Sequence, residues 1–144
     1  MSPWKFLSCP ILAGLLLASM SCGASAEPPT SPVTAELGTP FTLSAGVVAS
    51  LDDDRMIASF AGIPADSRCP AATACVWEGD ATVVIEVSVG GQRSRPELHT
   101  SRRFGTGANV NDYRIELVAL RPARPPSGTI PVGDYRVDLL ITKA

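Results

Sequence analysis

From Phe41 onward, apolar and polar residues alternate with period two, the repeat of a half-buried strand, and no amphipathic helical pattern is present. Phe41, Leu43, Ala45 and Val47 alternate with Thr42, Ser44 and Gly46, which predicts one strand after Gly38-Thr39-Pro40. Leu51-Asp52-Asp53-Asp54 predicts a turn. Arg55 to Ile63, with Met56, Ile57 and Phe60, predicts a second and weaker strand. The clearest strand is Thr82 to Val89, where Val83, Ile85, Val87 and Val89 share one face. Gly90-Gly91 is a hairpin signal. The returning strand, Arg93 to Thr100, contains Pro96, which has no N–H to give a ladder and so belongs at a sheet edge. Phe104 to Asn111, with two Gly and two Asn, predicts a loop.

The last third holds a short echo. Asp112-Tyr113-Arg114-Ile115-Glu116-Leu117 and Asp134-Tyr135-Arg136-Val137-Asp138-Leu139 share one pattern, with Tyr113, Ile115 and Leu117 on one face and Tyr135, Val137 and Leu139 on the other copy's face. Two copies are too few for a solenoid, so they predict two similar strands joined by the Pro-rich loop Arg121 to Pro131. Gly133-Asp134-Tyr135 before a final apolar strand is similar to the last strand of many immunoglobulin-like sandwiches, a likeness of fold and not of function. Six or seven short strands with regular turns predict an all-β fold. The expected form is a small antiparallel sandwich, immunoglobulin-like in architecture, with a small barrel as the alternative.

The N-terminus changes the picture of where the chain resides. Lys5 precedes an apolar run from Phe6 to Met20, too short for a span of about 20 residues. Ala24-Ser25-Ala26 is a small-residue cleavage site, so residues 1–26 read as a signal peptide. Cys22 opens a second route, acylation as a lipoprotein cysteine, although Ser19-Met20-Ser21-Cys22 lacks the Leu three positions before it. Soluble export, periplasmic or secreted, is the first expectation, and a lipid anchor on Cys22 the alternative. Both compartments are oxidising. Residues 27–32 read as a disordered Pro-rich tether. Residues 33–144 suffice for one domain. A net charge of −2 supports neither nucleic-acid binding nor electrostatic adhesion to a membrane, which leaves Cys22 as the membrane link.

Candidate chemistry concentrates between Asp66 and Ala81. Cys69 and Cys75 have five residues between them, too many for a Cys-x-x-Cys redox pair. Together with His99 they fall short of the four ligands of tetrahedral zinc. In an exported chain they are expected to form a structural disulfide, worth roughly 2 kcal/mol by loop-closure entropy. Trp77 has two readings. In the favoured one it packs over the disulfide and plugs one end of the core. In the other it is exposed and acts as a recognition hot spot. Asp66, Arg68, Glu78 and Asp80 bracket the ring. They are expected to cap turns and pair at the surface, at about 0–1 kcal/mol per pair, and with Trp77 they form the candidate interaction loop.

Asp66-Ser67-Arg68-Cys69-Pro70, followed by Cys75-Val76-Trp77 and then Gly79 and Ala81, resembles a motif of small exported bacterial proteins known only as uncharacterised. The resemblance runs from about Phe41 to the C-terminus and is most specific from Asp66 to Ala81. It implies a secreted or lipid-anchored β-domain. It implies no activity and transfers no catalytic residue.

Catalytic and metal sets are weak. His99 is the chain's one imidazole, and neither Gly-x-Ser-x-Gly nor a metal-ligand cluster accompanies it. Arg93, Arg95, Arg102 and Arg103 flank it as either an anion-binding surface or, the favoured reading, the charged guard of an edge strand. Asp52, Asp53 and Asp54 lack the spacing and glycine of an EF-hand loop, and a solvated turn is the better reading. A blue-copper site would need a second His and a free Cys. The expected function is therefore a non-enzymatic exported module that binds a protein or a ligand, with an unknown protein or envelope partner and without cofactor. A secreted hydrolase using His99 and a calcium-binding domain are the alternatives.

Overall fold

The computed structural model describes residues 31–144. The expected leader over 1–26, with Cys22, and all but the last two residues of the expected tether lie outside the described residues. Among the described residues ten strands form: β1 (Val33–Thr34), β2 (Phe41–Leu43), β3 (Val48–Leu51), β4 (Met56–Asp66), β5 (Ala81–Val89), β6 (Gln92–Ser94), β7 (Glu97–His99), β8 (Gly107–Val110), β9 (Tyr113–Arg121) and β10 (Arg136–Lys143). One sheet has the order β1-β3-β4-β5, with β6 and β7 both lying along β5. The other has the order β2-β10-β9-β8. Period-two burial follows directly from the alternation. Val83, Ile85 and Val87 of β5 and Ile115, Val137, Leu139 and Ile141 of the opposite sheet are all fully buried in one core with Leu43, Leu51, Met56 and Leu98. Each such side chain contributes about 1.5–3 kcal/mol when removed from water. The all-β, two-sheet fold is the expected one, and its arrangement is compatible with an immunoglobulin-like architecture.

Several expectations are corrected by local chemistry. The single strand foreseen from Phe41 to Val47 stops at Leu43: β2 pairs with β10, residues 44–47 turn the chain to the other sheet, and β3 beyond them pairs with β4. Gly46 takes φ 78°, and the Val47 N–H closes a turn on the Ser44 carbonyl at 3.1 Å. The foreseen loop Phe104 to Asn111 contains β8, which pairs with β9. Gly and Asn give that segment little strand propensity, so its pairing comes from the neighbour's open ladder. β4 is longer than the weak strand expected, at 11 residues. The sandwich is not wholly antiparallel, because β1 pairs with β3 in parallel. The strand foreseen from Arg93 to Thr100 is interrupted at Arg95-Pro96, and Pro96 offers its carbonyl to Ile85 N–H at 3.2 Å.

The two echoed segments become β9 and β10, hydrogen-bonded to one another. Their strands carry Tyr113 to opposite ends of the molecule from Tyr135. Tyr113 hydrogen-bonds Asp52 in the turn between β3 and β4, whereas Tyr135 hydrogen-bonds Asp66 at the far end of β4.

Candidate functional site

The ladder between β4 and β5 does not stop at Asp66 and Ala81. It continues in the same register, with Ser67 N–H donating to the Asp80 carbonyl at 2.7 Å and Cys69 N–H to the Glu78 carbonyl at 2.8 Å. The candidate loop is thus the prolonged tip of a β-hairpin. Cys69 and Cys75 are joined in a disulfide with 6.0 Å between their Cα atoms. The two arms approach closely at Gly79, which has φ 72°. A Cβ there would lie 2.0 Å from the Ser67 carbonyl oxygen, so only glycine meets both the conformation and the space.

Trp77 is 48% exposed and Val76 beside it is fully exposed. The expectation that Trp77 plugs the core is therefore corrected. Leu120 and Tyr135 are already buried beneath the hairpin stem, where they meet Arg68 and Asp66, and they close that end of the core without the indole.

The bracketing charges also depart from expectation. Asp66 and Arg68 are not a solvated surface pair, since their side chains are only 11% and 14% exposed. Arg68 donates Nε to Asp66 Oδ1 at 2.9 Å and Nη2 to Oδ2 at 2.7 Å, and a third N–H goes to the Leu120 carbonyl at 2.9 Å. Tyr135 Oη donates to Asp66 Oδ2 at 2.9 Å. Burial pushes the Asp66 carboxyl up, but the donors of Arg68 and Tyr135 outweigh it and hold it below its usual value. The Tyr135 phenol is pushed up to about 12, first by burial and then by Asp66.

Asp80 organises a second network on the other side of the stem. Its carboxylate accepts from Ser101 N–H at 2.9 Å and Thr100 Oγ1 at 3.2 Å, and it lies 2.7 Å from His99 Nδ1. Burial raises the Asp80 carboxyl, and these partners more than reverse the effect. Glu78 accepts from Ser101 Oγ at 2.6 Å. His99 also lies against Phe104, with ring centroids 5.7 Å apart. The buried Ser101 hydroxyl thus gives its proton to Glu78, and its oxygen accepts from Arg103 N–H at 3.3 Å. Ser67 Oγ donates to the Asp80 carbonyl at 2.9 Å, so neither serine hydrogen-bonded within this network donates to the imidazole.

The other sequence candidates are dispersed. Arg93, Arg95, Arg102 and Arg103 are exposed along the β6–β7 edge and the turn beyond it, and Arg95 pairs with Glu86 at 3.6 Å. Asp52, Asp53 and Asp54 all take positive φ, of 53°, 53° and 64°, at the opposite end of the sandwich. Asp52 is committed to Tyr113 and to Lys143 at 3.1 Å, and Asp54 to Ser50. Among the described residues, no three His, Cys, Asp or Glu side chains group closely enough to hold a metal ion. Arg124 and Tyr135, which brace the hairpin, were not foreseen. Nothing local marks them, because their partners lie 56 and 69 residues away.

Comparison of the chain with protein-family models, curated proteins and solved structures gave no match.

Proposed function

We propose that this chain is a non-enzymatic, exported β-domain that docks a protein partner through its pinned hairpin, Asp66 to Asp80, with Trp77 at the centre. The observation that carries the reading is the half-exposed indole of Trp77, beside the fully exposed Val76, on a backbone held by a disulfide and two ladder bonds. A large aromatic on a tip already ordered before binding loses little conformational freedom on docking, and tryptophan is the commonest sort of interface anchor. Beneath it, the Asp66–Arg68 and Asp80–His99 networks fix the stem and leave the tip free to meet another surface. Export is supported by the apolar leader with Ala24-Ser25-Ala26 and by the Cys69–Cys75 disulfide. Among the described residues, no helix is long and apolar enough to cross a membrane. The resemblance of the cysteine block to exported bacterial proteins points the same way.

The test places a photo-crosslinking amino acid at Val76 in the producing cell. A discrete protein adduct is expected, and it should disappear when Trp77→Ala is added while unfolding stability stays within about 0.5 kcal/mol. The reading fails if no adduct exceeds that of the same probe at exposed Asp112, or if Trp77→Ala unfolds the domain.

A further inference from the structure

A separate cavity of about 270 Å³ lies behind the hairpin, between the distal part of β4 and the loop that leads into β10. It is on the small side of the ~300–1,000 Å³ typical of ligand sites. Ile63, Pro64, Ile130 and Val132 give it apolar walls, and Asp66, Tyr135 and Arg124 give it polar ones. The charges do not cancel. Asp66 is occupied on both oxygens by Arg68 and Tyr135, so that pair is neutral and the carboxylate has no donor left to seek. Arg124 differs. Among the described residues its guanidinium has one hydrogen bond to protein, a long contact of 3.3 Å from Nη1 to the Arg68 carbonyl, and no ion pair. Its backbone carbonyl accepts from Ala71 N–H at 2.9 Å, which ties the residue to the hairpin.

We infer that this cavity is a binding site for a small apolar monocarboxylate, with the carboxylate on Arg124 and the hydrocarbon between Ile63 and Ile130. Arg124 is half-buried and lines a pocket whose walls are part apolar and part polar, and a guanidinium with unused donors there fits a planar anion attached to a hydrocarbon, because the fork geometry binds two oxygens together. The size limits the occupant to about one amino-acid residue or a short aliphatic acid. The inference is independent of the Trp77 surface.

Amide NMR titration of the full chain tests it with three probes: N-acetyl-L-leucine, N-acetyl-L-leucinamide and hexanoate. At least one carboxylate should saturate, with Kd of order 1 mM or below, and should shift Ile63, Ala65, Gly128 and Ile130. The uncharged amide should bind at least about tenfold more weakly, and Arg124→Gln should weaken the acid by about tenfold. Tighter binding of the acyl amino acid would assign the site to peptide C-termini, and tighter binding of hexanoate to free aliphatic acids. Absence of saturation by both acids up to about 10 mM, or equal binding of acid and amide, overturns the inference. The acid–amide comparison uses the unaltered chain, so it stands even if Arg124→Gln disturbs the hairpin.

Discussion

Arg68 holds Asp66 in a two-pronged ion pair across two residues of the hairpin stem, with Nη2 to Oδ2 at 2.7 Å and Nε to Oδ1 at 2.9 Å. The same guanidinium reaches the Leu120 carbonyl, 52 residues away, and so fastens the hairpin to the opposite sheet. Arg68→Ala leaves a mostly buried carboxylate with only the Tyr135 hydroxyl and a backbone N–H as donors, and removes the guanidinium from the Leu120 carbonyl; it should cost about 3 kcal/mol in urea unfolding at pH 7. The pair also has a pH signature. A carboxyl lowered by folding contributes stability that is complete above its unfolded value near ~3.9 and is lost as pH falls through the lower folded value. The acid limb of stability below about pH 4 should therefore be shallower in Arg68→Ala than in the parent. Identical limbs would show that the pair does not act on folding.

Both tyrosines of the chain donate to carboxylates and should ionise above the usual value near ~10. For Tyr113 the main cause is its hydrogen bond to Asp52. For Tyr135 it is burial, followed by Asp66, and the phenol reaches about 12. A phenol raised on folding contributes stability that is complete below about pH 10 and is lost as pH rises through the folded value. Absorbance at ~295 nm should show no tyrosinate step near pH 10, and Tyr135→Phe should remove the higher of the two steps. A full-amplitude step at the ordinary value would sink the assignment.

Gly79→Ala should be disproportionately damaging, since the new methyl would fall 2.0 Å from the Ser67 carbonyl oxygen and 2.8 Å from Arg68 Cα at φ 72°. A loss of about 3 kcal/mol is expected from backbone displacement plus left-handed strain. Gly128→Ala has a similar φ of 83° but open space around it, and should lose only about 1 kcal/mol. Equal losses at the two sites would mean that close approach at Gly79 is unimportant.

Removing the disulfide by paired Cys69→Ser and Cys75→Ser changes should lower stability by about 2 kcal/mol, in keeping with the small ring of sequence separation 6. The domain should stay folded, because neither cysteine belongs to the buried core. Loss of the folded far-ultraviolet signal on thiol reduction would contradict this division between tip and core.

The strands that were legible in the sequence are those whose burial alternates without interruption. β5 is the clearest: Val83, Ile85 and Val87 face the core exactly where period two puts them. The two-residue turn at Gly90-Gly91 was equally plain, because it needs positive φ at both positions. The Phe41 to Val47 alternation misled for a physical reason: Ala45 and Val47 keep the apolar rhythm of β2 through a turn that moves the chain from one sheet to the other. β8 was illegible because Gly107, Ala108 and Asn109 contribute backbone and little side chain.

Of the site, the disulfide-closed loop was legible in the cysteine spacing of a chain read as exported, but the continuation of the β4–β5 ladder into it, which makes it a hairpin tip, was not. Nor was the exposure of Trp77, because it depends on whether other side chains have already filled the end of the core.

What the sequence determined by itself is local: period-two burial, turn glycines, the edge proline and the proximity of Cys69 to Cys75 along the chain. These depend on neighbours a few residues apart, so the chain order alone carries them. The tertiary structure decided the rest. It placed Tyr135 on Asp66, His99 on Asp80, and Arg124 on the Arg68 carbonyl behind the hairpin. Those contacts join segments 19 to 69 residues apart, and only the packing of two sheets brings such groups to within hydrogen-bonding range.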